Sequence, residues 1–228
     1  MSEDHQWLMQ LAGDLALRAA GAVRQRFGSS TARLKQDRTL ITEADQAAQQ
    51  LMLDELAERY PGHAVLAEET IKDPSRHGLV EKAELCWVID PLDGTRNFAR
   101  GLPIFSTVIA VLQAGRPVAA AVADVMTGQL YRAAAGGGAY LDGRLLSVRR
   151  DQPGQHALVA VPSGRDRPTP PAVLQRVARF TLRNLGSSAL HLAMVASGAL
   201  DGAFCLECKL WDVAAGALLV AEAGGKIT

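Results

Sequence analysis

The stretch that decides the reading is Trp87-Val88-Ile89-Asp90-Pro91-Leu92-Asp93-Gly94-Thr95-Arg96-Asn97-Phe98. Its first part continues the apolar run Leu85 to Ile89, short and bounded by charge and by Pro91, which predicts a buried strand ending at Asp90. Two carboxylates then flank a Pro-Leu pair, and Pro91 has no N–H and a fixed φ, so the turn between them is stiff. Gly94 and Thr95 follow, where backbone N–H groups at a helix start favour a phosphate. Buried carboxylates this close are costly unless a cation or protons neutralise them.

Other carboxylates stand where the chain changes direction. Glu68-Glu69 follows Val65-Leu66, Asp45 lies at the start of a predicted helix, and Asp212 opens the last apolar helix. Taken singly, each has an ordinary role. Thr42-Glu43-Ala44-Asp45 fits a capping box, Asp212 fits an N-cap, Glu68-Glu69 fits a solvated pair, and Asp-Gly is a common turn dipeptide. Taken together they supply the all-oxygen donor set of a hard cation. Magnesium uses one or two carboxylates per ion and leaves room for phosphate oxygens, and two ions can clamp the attacking and leaving oxygens of an in-line displacement.

Outward from this centre, Trp7, Leu11, Leu15, Ala19, Val23 and Phe27 predict a helix from His5 to Phe27, and a second fits Glu43 to Tyr60. Phe105 to Leu112, Val118 to Val125 and Leu130-Tyr131, separated by Gly/Pro punctuation, predict an antiparallel meander. Gly136-Gly137-Gly138 and Asp142-Gly143 mark turns, and Val159 to Val161 a further strand. Helices are expected at Ala172 to Phe180, Ser188 to Gly198 and Val213 to Ala223, and the Pro-rich stretch Arg167 to Pro171 marks a subdomain joint. The expected fold class is layered α+β, with an N-terminal subdomain over 1–150 carrying most ligands and a C-terminal one over 151–228 carrying Asp212 and substrate contacts.

Composition sets the frame. The chain has 228 residues, 48% hydrophobic and 21% charged, and its 24 basic residues equal its 24 acidic ones, so no polyanionic partner such as nucleic acid is favoured. No run reaches a membrane span, and the acidic Met1-Ser2-Glu3-Asp4 is unlike a secretory signal. Three cysteines do not make a disulfide framework, and a cytoplasmic setting is expected.

Together these segments resemble the inositol monophosphatase family, within the larger fructose-bisphosphatase-like superfamily. The opening stretch fits the pattern W-V-I-D-P-(L/I)-D-G-T-x-N-F, and Trp211-Asp212-Val213-Ala214-Ala215-Gly216, running on to Glu222-Ala223-Gly224-Gly225, looks like the second signature. Ile41 to Asp45 and Ala67 to Thr70 resemble two weaker ones. The resemblance implies an α-β-α-β-α sandwich and hydrolysis of a small phosphate monoester with two or three magnesium ions. The implied metal ligands are Glu68, Asp90, Asp93, Asp212 and the carbonyl of Leu92. Thr95, polarised by Asp45, would activate water together with Glu68, and the N–H groups of Gly94 and Thr95 would hold the phosphate. Asp93, Gly186, Ser187, Ser188, Cys205 and Asp212 are the implied substrate contacts.

Cys205 stands where inositol-specific members commonly carry an acidic residue, with Glu207 two residues later, which weakens inositol phosphate as the substrate. Sugar phosphates and histidinol phosphate fall in the same range. A 3'(2'),5'-bisphosphate nucleotidase and a non-catalytic binding or scaffold homologue are the alternatives. The resemblance also implies lithium sensitivity and a homodimer, and the family's last strand and helix would lie past Thr228.

Other constellations are weaker. Cys205-Leu206-Glu207-Cys208 has C-x-x-C spacing but lacks partners for a four-ligand metal site, so structural thiols are expected. Gly224-Gly225-Lys226 lacks the frame of a phosphate loop, and the histidines at 5, 63, 77, 156 and 191 show no zinc spacing; His191 is read as packing on its helix. Ser163-Gly164-Arg165 is read as a turn with a chance of adding a substrate contact.

Overall fold

The computed structural model describes residues 5–29, 31–34, 40–68, 78, 80, 83–150, 156–161, 170–206 and 208–228. Helix α1 (His5–Arg24) and α2 (Glu43–Arg59) flank the short pair β1 (Ala32–Leu34) and β2 (Leu40–Thr42). Then come β3 (Ala64–Ala67), β4 (Leu85–Asp93) and the five-residue α3 (Thr95–Ala99). A meander follows, of β5 (Ser106–Gln113), β6 (Arg116–Asp124), β7 (Leu130–Ala134), β8 (Gly138–Leu141) and β9 (Arg144–Leu145). The chain closes with β10 (Leu158–Ala160), α4 (Pro171–Val177), β11 (Thr181–Arg183), α5 (Ser188–Ala196), β12 (Gly202–Ala203) and α6 (Leu210–Glu222).

The large sheet has seven strands in chain order, β3 to β9, parallel only between β3 and β4. Its central strands are apolar on both faces, as a sheet covered on both sides requires. One face packs under α1 and α2 through Leu8, Leu15, Met52, Leu56, Trp87 and Ile109. The other packs under α5 and α6 through Val88, Val108, Leu190, Trp211 and Leu219.

The small sheet is parallel, in the order β11-β10-β12. Going from β10 to β11 and back across to β12 reverses direction, so right-handed crossovers put α4 and α5 on opposite faces. Helices and sheets therefore alternate as α-β-α-β-α.

Several boundaries differ from the expected ones for local reasons. Strand β4 does not stop at Asp90; it continues to Asp93 through a register shift, and Asp93 pairs with Ser106. The presumed turn is thus an irregularity inside a strand, with both carboxylates buried. Helix α6 starts at Leu210, which moves Asp212 from the N-cap into the first turn, where it accepts from Lys209 N at 2.8 Å. Helix α1 ends at Arg24, and its buried stripe runs through Leu8, Ala12, Leu15, Ala19 and Val23; Trp7 is 43% exposed and meets Tyr60 edge-on. The strands β1, β2, β3, β11 and β12, of two to four residues each, are too short to register as a periodic pattern. Residues 167–169 of the expected subdomain joint lie outside the described residues, and Pro171 occupies the first turn of α4.

Candidate active site

The acidic centre sits where β3 and β4 run out beside the starts of α2, α5 and α6. Thr42 caps α2, and its N–H and hydroxyl donate to Asp45 Oδ2 at 2.7 and 2.5 Å. The expected capping box is therefore present. It also fixes the carboxylate, because the other oxygen, Oδ1, lies 3.3 Å from Thr95 Oγ1. Thr95 Oγ1 stands closer to Leu92 O, at 2.9 Å, so its single proton is held between a carbonyl and a carboxylate. Burial pushes Asp45 up to about 6, with the charge of Glu68 adding to it and the Thr42 hydrogen bonds opposing it.

Asp90 and Asp93 are held differently. Asp90 accepts from Leu92 N at 3.0 Å, its neighbour across the Pro91 irregularity. Burial drives its carboxyl well above the usual range, and Glu68, Asp93 and Asp212 all raise it further. The Glu68 side chain stands close enough to Asp90 to raise it both by its charge and by direct contact. Asp93 is pushed up to about 6, chiefly by burial and next by the charge of Asp212, while hydrogen bonds from the α5 end pull it down. Ser187 Oγ donates to Asp93 Oδ2 at 2.5 Å and Ala189 N at 2.8 Å.

Gly94 turns the chain out of the strand with φ +100°, a conformation that suits glycine. A Cβ there would lie 3.1 Å from Ile104 O and from Phe105 Cβ, so space as well as torsion demands glycine. Gly186, at φ +77°, is the matching case in the second half, where a Cβ would meet the Asn97 amide. That amide donates to Ile104 O at 2.7 Å and Leu185 O at 2.6 Å, tying the loop after α3 to the segment before α5.

The structure brings together Asp45, Glu68, Asp90, Leu92, Asp93, Thr95 and Asp212, as their shared hydrogen bonds and mutual charge effects show. Cys205 belongs to the same neighbourhood, close enough to Asp93 and Asp212 for both charges to act on it. Ser187 caps α5 and spends its hydroxyl on Asp93, so it braces a carboxylate. The Ser188 side chain lies near Cys208 and lowers its thiol. Glu69, Glu207 and Ser163-Gly164-Arg165 lie outside the described residues.

Several supporting residues were not foreseen. Ser106, wholly buried, meets Ser187 Oγ at 3.2 Å and extends the brace behind Asp93; only the strand register reveals it. His191 does more than pack on its helix. Its Nε2 accepts from Leu185 N at 2.9 Å, and burial lowers it to about 4, so the ring is neutral. Asn97 lay in plain view inside the opening stretch, but its bridging role depends on contacts 88 residues away. Cys205 and Cys208, expected as buried structural thiols, are half-buried, and Cys86 is the buried cysteine among the described residues.

The donors suit a divalent cation of the magnesium type. All are oxygens, and the repulsion among Glu68, Asp90, Asp93 and Asp212 is of the kind a cation relieves. Among the described residues no three acidic, His or Cys groups converge as ligands of one ion. Asp90, Asp93 and Asp212 each tie one oxygen to a backbone N–H or a hydroxyl. That arrangement fits an ion that takes one or two protein carboxylates and keeps much of its water.

A layered α+β sandwich with an acidic, oxygen-only centre defines a class of metal-assisted phosphate-ester sites. The chain belongs to the inositol monophosphatase family, whose sequence profile matches residues 4–228. The Nus factor SuhB of Pasteurella multocida is 36% identical over 204 residues, covering 85% of this chain and 73% of that protein. Thermotoga maritima IMPase superposes with a TM-score of 0.86 at 28% identity, covering 97% of this chain and 85% of that one. SaIMPase-II with inositol monophosphate bound gives a TM-score of 0.76 at 28% identity, over 95% of this chain and 79% of that one.

Proposed function

We propose that this protein is a magnesium-dependent phosphatase that hydrolyses a small phosphate monoester. The observation that carries the reading is the Asp45–Thr95–Leu92 hydrogen-bond unit set against the carboxylates of Glu68, Asp90, Asp93 and Asp212. Glu68, Asp90, Asp93, Asp212 and Leu92 O would hold two or three magnesium ions, Leu92 O through the lone pair that Thr95 leaves free. Bound magnesium supplies charge neutralisation for a dianionic ester and lowers the pKa of a nearby water.

The chain's own residues do the rest. Thr95 Oγ1 accepts a proton from the attacking water as it passes its own to Asp45 Oδ1, and Thr42 keeps Asp45 Oδ2 fixed meanwhile. An Asp45 value near 6 suits a base working near neutral pH. Glu68, beside Asp90, helps orient the same water. Gly94 and Thr95 offer backbone N–H groups to the phosphate, and Ser188, Cys205 and the Gly186–Ser187 turn border the alcohol. No covalent protein intermediate is needed, because positioning and charge carry most of such a reaction.

Inositol monophosphate, bound in one relative, heads the substrate candidates, with sugar phosphates, histidinol phosphate and 3'(2'),5'-bisphosphate nucleotides behind it. The test is phosphate release from these esters with and without magnesium. Release should require the ion, and no turnover on any ester at saturating magnesium would overturn the proposal. Thr95→Ala should lower kcat by about 10²–10⁴-fold and Thr95→Ser by far less.

Relatives are named Nus factors, which favours a second reading in which the chain also serves as a binding protein. Asp93→Asn separates the two, since it should lower hydrolysis about 10²–10³-fold and leave a binding role intact. A homodimer and a cytoplasmic place complete the proposal. Among the described residues no helix is long and apolar enough to cross a membrane, and sedimentation would check the dimer.

A further inference from the structure

Strand β5 opens with two adjacent hydroxyls, Ser106 and Thr107, and neither has any solvent exposure. Neighbouring strand residues point to opposite faces. Ser106 therefore lies on the α5–α6 side with Val108, and Thr107 on the α1–α2 side with Ile109. A buried hydroxyl is costly unless it finds a partner. Each of these finds one at the irregular end of β4.

The pairing of β4 with β5 joins Asp90 to Val108 and Asp93 to Ser106. Pro91 and Leu92 therefore stand together opposite Thr107, which is the count of a β-bulge. Thr107 Oγ1 donates to Pro91 O at 2.9 Å. The N–H of that same peptide unit, Leu92 N, donates to Asp90 Oδ1 at 3.0 Å. A peptide unit is planar, so fixing its carbonyl also fixes the direction of its N–H. Thr107 thus orients the donor that holds Asp90.

On the other face, Ser106 Oγ lies 3.2 Å from Ser187 Oγ. Ser187 has one proton, and it is spent on Asp93 Oδ2 at 2.5 Å. Leu190 N donates to Ser187 Oγ at 3.2 Å. A hydroxyl offers one donor and two acceptor sites, so Ser106 is the donor of its pair and fills the site that Leu190 leaves. With both acceptor sites taken, the Ser187 proton is directed at Asp93.

We infer that Ser106 and Thr107 are positioning residues for the cation site and set how tightly magnesium is held. Ser106 stands behind Asp93 through Ser187, and Thr107 stands behind Asp90 through the Pro91–Leu92 peptide. The orientation of the two carboxylates stands on the hydrogen bonds alone; the effect on magnesium rests on the phosphatase reading. Neither hydroxyl meets ester or water in that reading, so each acts on affinity for the ion more than on the chemical step.

The test uses the full chain. Ser106→Ala and Thr107→Val remove a hydroxyl without adding bulk, and Thr107→Ser keeps the hydroxyl and drops the methyl. Val111→Ala, further along β5 and also fully buried, removes packing with no hydroxyl involved. Magnesium affinity would be measured by isothermal titration calorimetry. Ser106→Ala and Thr107→Val should each bind the ion about tenfold more weakly, as when a group behind a metal ligand is removed. Thr107→Ser should stay within about threefold of the parent, and Val111→Ala should bind as the parent does. The magnesium concentration that half-saturates phosphate release should rise by the same factor, and added magnesium should recover most of the lost rate. In metal-free protein, amide exchange followed by NMR should quicken about tenfold at Leu92 in Thr107→Val. Ala189, whose N–H also donates to Asp93 Oδ2, should respond likewise in Ser106→Ala.

Parent-like magnesium affinity in both hydroxyl-free variants would overturn the proposal. An equal loss in Val111→Ala would do so too, because the effect would then be general loosening. Thr107→Ser binding as weakly as Thr107→Val would assign the effect to the methyl group and remove Thr107. Should Ser106→Ala fail to fold, Ser106→Cys, close in size but a weak donor, decides the same point. If the parent itself binds no magnesium, the metal reading fails by itself, and exchange at Leu92 and Ala189 still decides the brace; unchanged rates there would overturn it.

Discussion

The two walls of the acidic centre are built on different principles. On the β4 side, Asp45, Asp90 and Thr95 are fixed by partners within a few residues of chain: Thr42, Leu92 and the irregularity at Pro91. On the α5–α6 side, the holding contacts span the molecule. Ser187 reaches Asp93 across 94 residues, and Leu185 O receives Asn97 across 88. The first wall is thus specified locally, and the second exists only once both halves of the chain have packed. The proposed water-activating pair Asp45 and Thr95 stands on the local wall, whereas the proposed substrate contacts Cys205 and Ser188 stand on the distant one.

The sharpest way to test that division is to remove a charge from the centre and compare it with cutting a tie. Asp93→Asn keeps the shape and removes one of four mutually repelling carboxylates. It should lower kcat by about 10²–10³-fold, the usual effect of losing one group that stabilises developing charge. The fold should remain, as circular dichroism would show, because burial and Asp212 already disfavour the ionised form. Activity within a few fold of the parent would remove Asp93 from the proposed ligands.

Asn97→Ala cuts the tie without touching an acidic group. It leaves the carbonyls of Ile104 and Leu185 without that donor and should cost about 1–3 kcal/mol in urea unfolding. The loss should appear mainly as a raised KM, because the wall that moves is the substrate wall. A kcat loss as large as that of Asp93→Asn, with KM unchanged, would mean that the two walls act as one unit.

The same division explains what could be read from the sequence. The stretch Trp87 to Phe98 and the box Thr42 to Asp45 were legible because their function lies in local spacing: carboxylates beside a proline, a hydroxyl three residues before an acid. The meander from Ser106 to Tyr131 was legible from its punctuation, whereas β8 and β9 beyond it were read only as turns. Strand β4 extending through Asp93 was not, since proline argues against a strand interior; the register shift between Asp90 and Asp93 accommodates it. Ser106 and His191 carry no local signal at all. Each matters through a hydrogen bond whose partner comes from a different element, Ser187 for one and Leu185 for the other. The family profile and the layered architecture bear out the resemblance read from the motifs.

The smallest expected effect is a pH dependence in which the two walls pull in opposite directions. Asp45 and Asp93, raised from 3.8 to about 6, bind more protons folded than unfolded between those values. In protein stripped of divalent ions their contribution to stability is therefore present below pH 3.8 and is lost as pH rises through about 6. His191 is lowered from 6.5 to about 4, so in that window the unfolded chain binds more protons, and stability is lost as pH falls from 6.5 towards 4. Without divalent ions His191 offsets about one of the two carboxylates across pH 4–6, and melting temperature should fall with rising pH there, less steeply than the two carboxylates alone would make it. Magnesium at millimolar concentration should flatten the carboxylate contribution by neutralising it, which exposes the histidine slope, so that stability rises with pH. His191→Gln, whose side-chain oxygen can still accept from Leu185 N, should abolish that slope in magnesium and leave a net fall with rising pH when the ion is stripped. If the histidine variant melts with the parent's pH profile in both conditions, His191 is not the opposing group, and the distant wall contributes no proton linkage of its own.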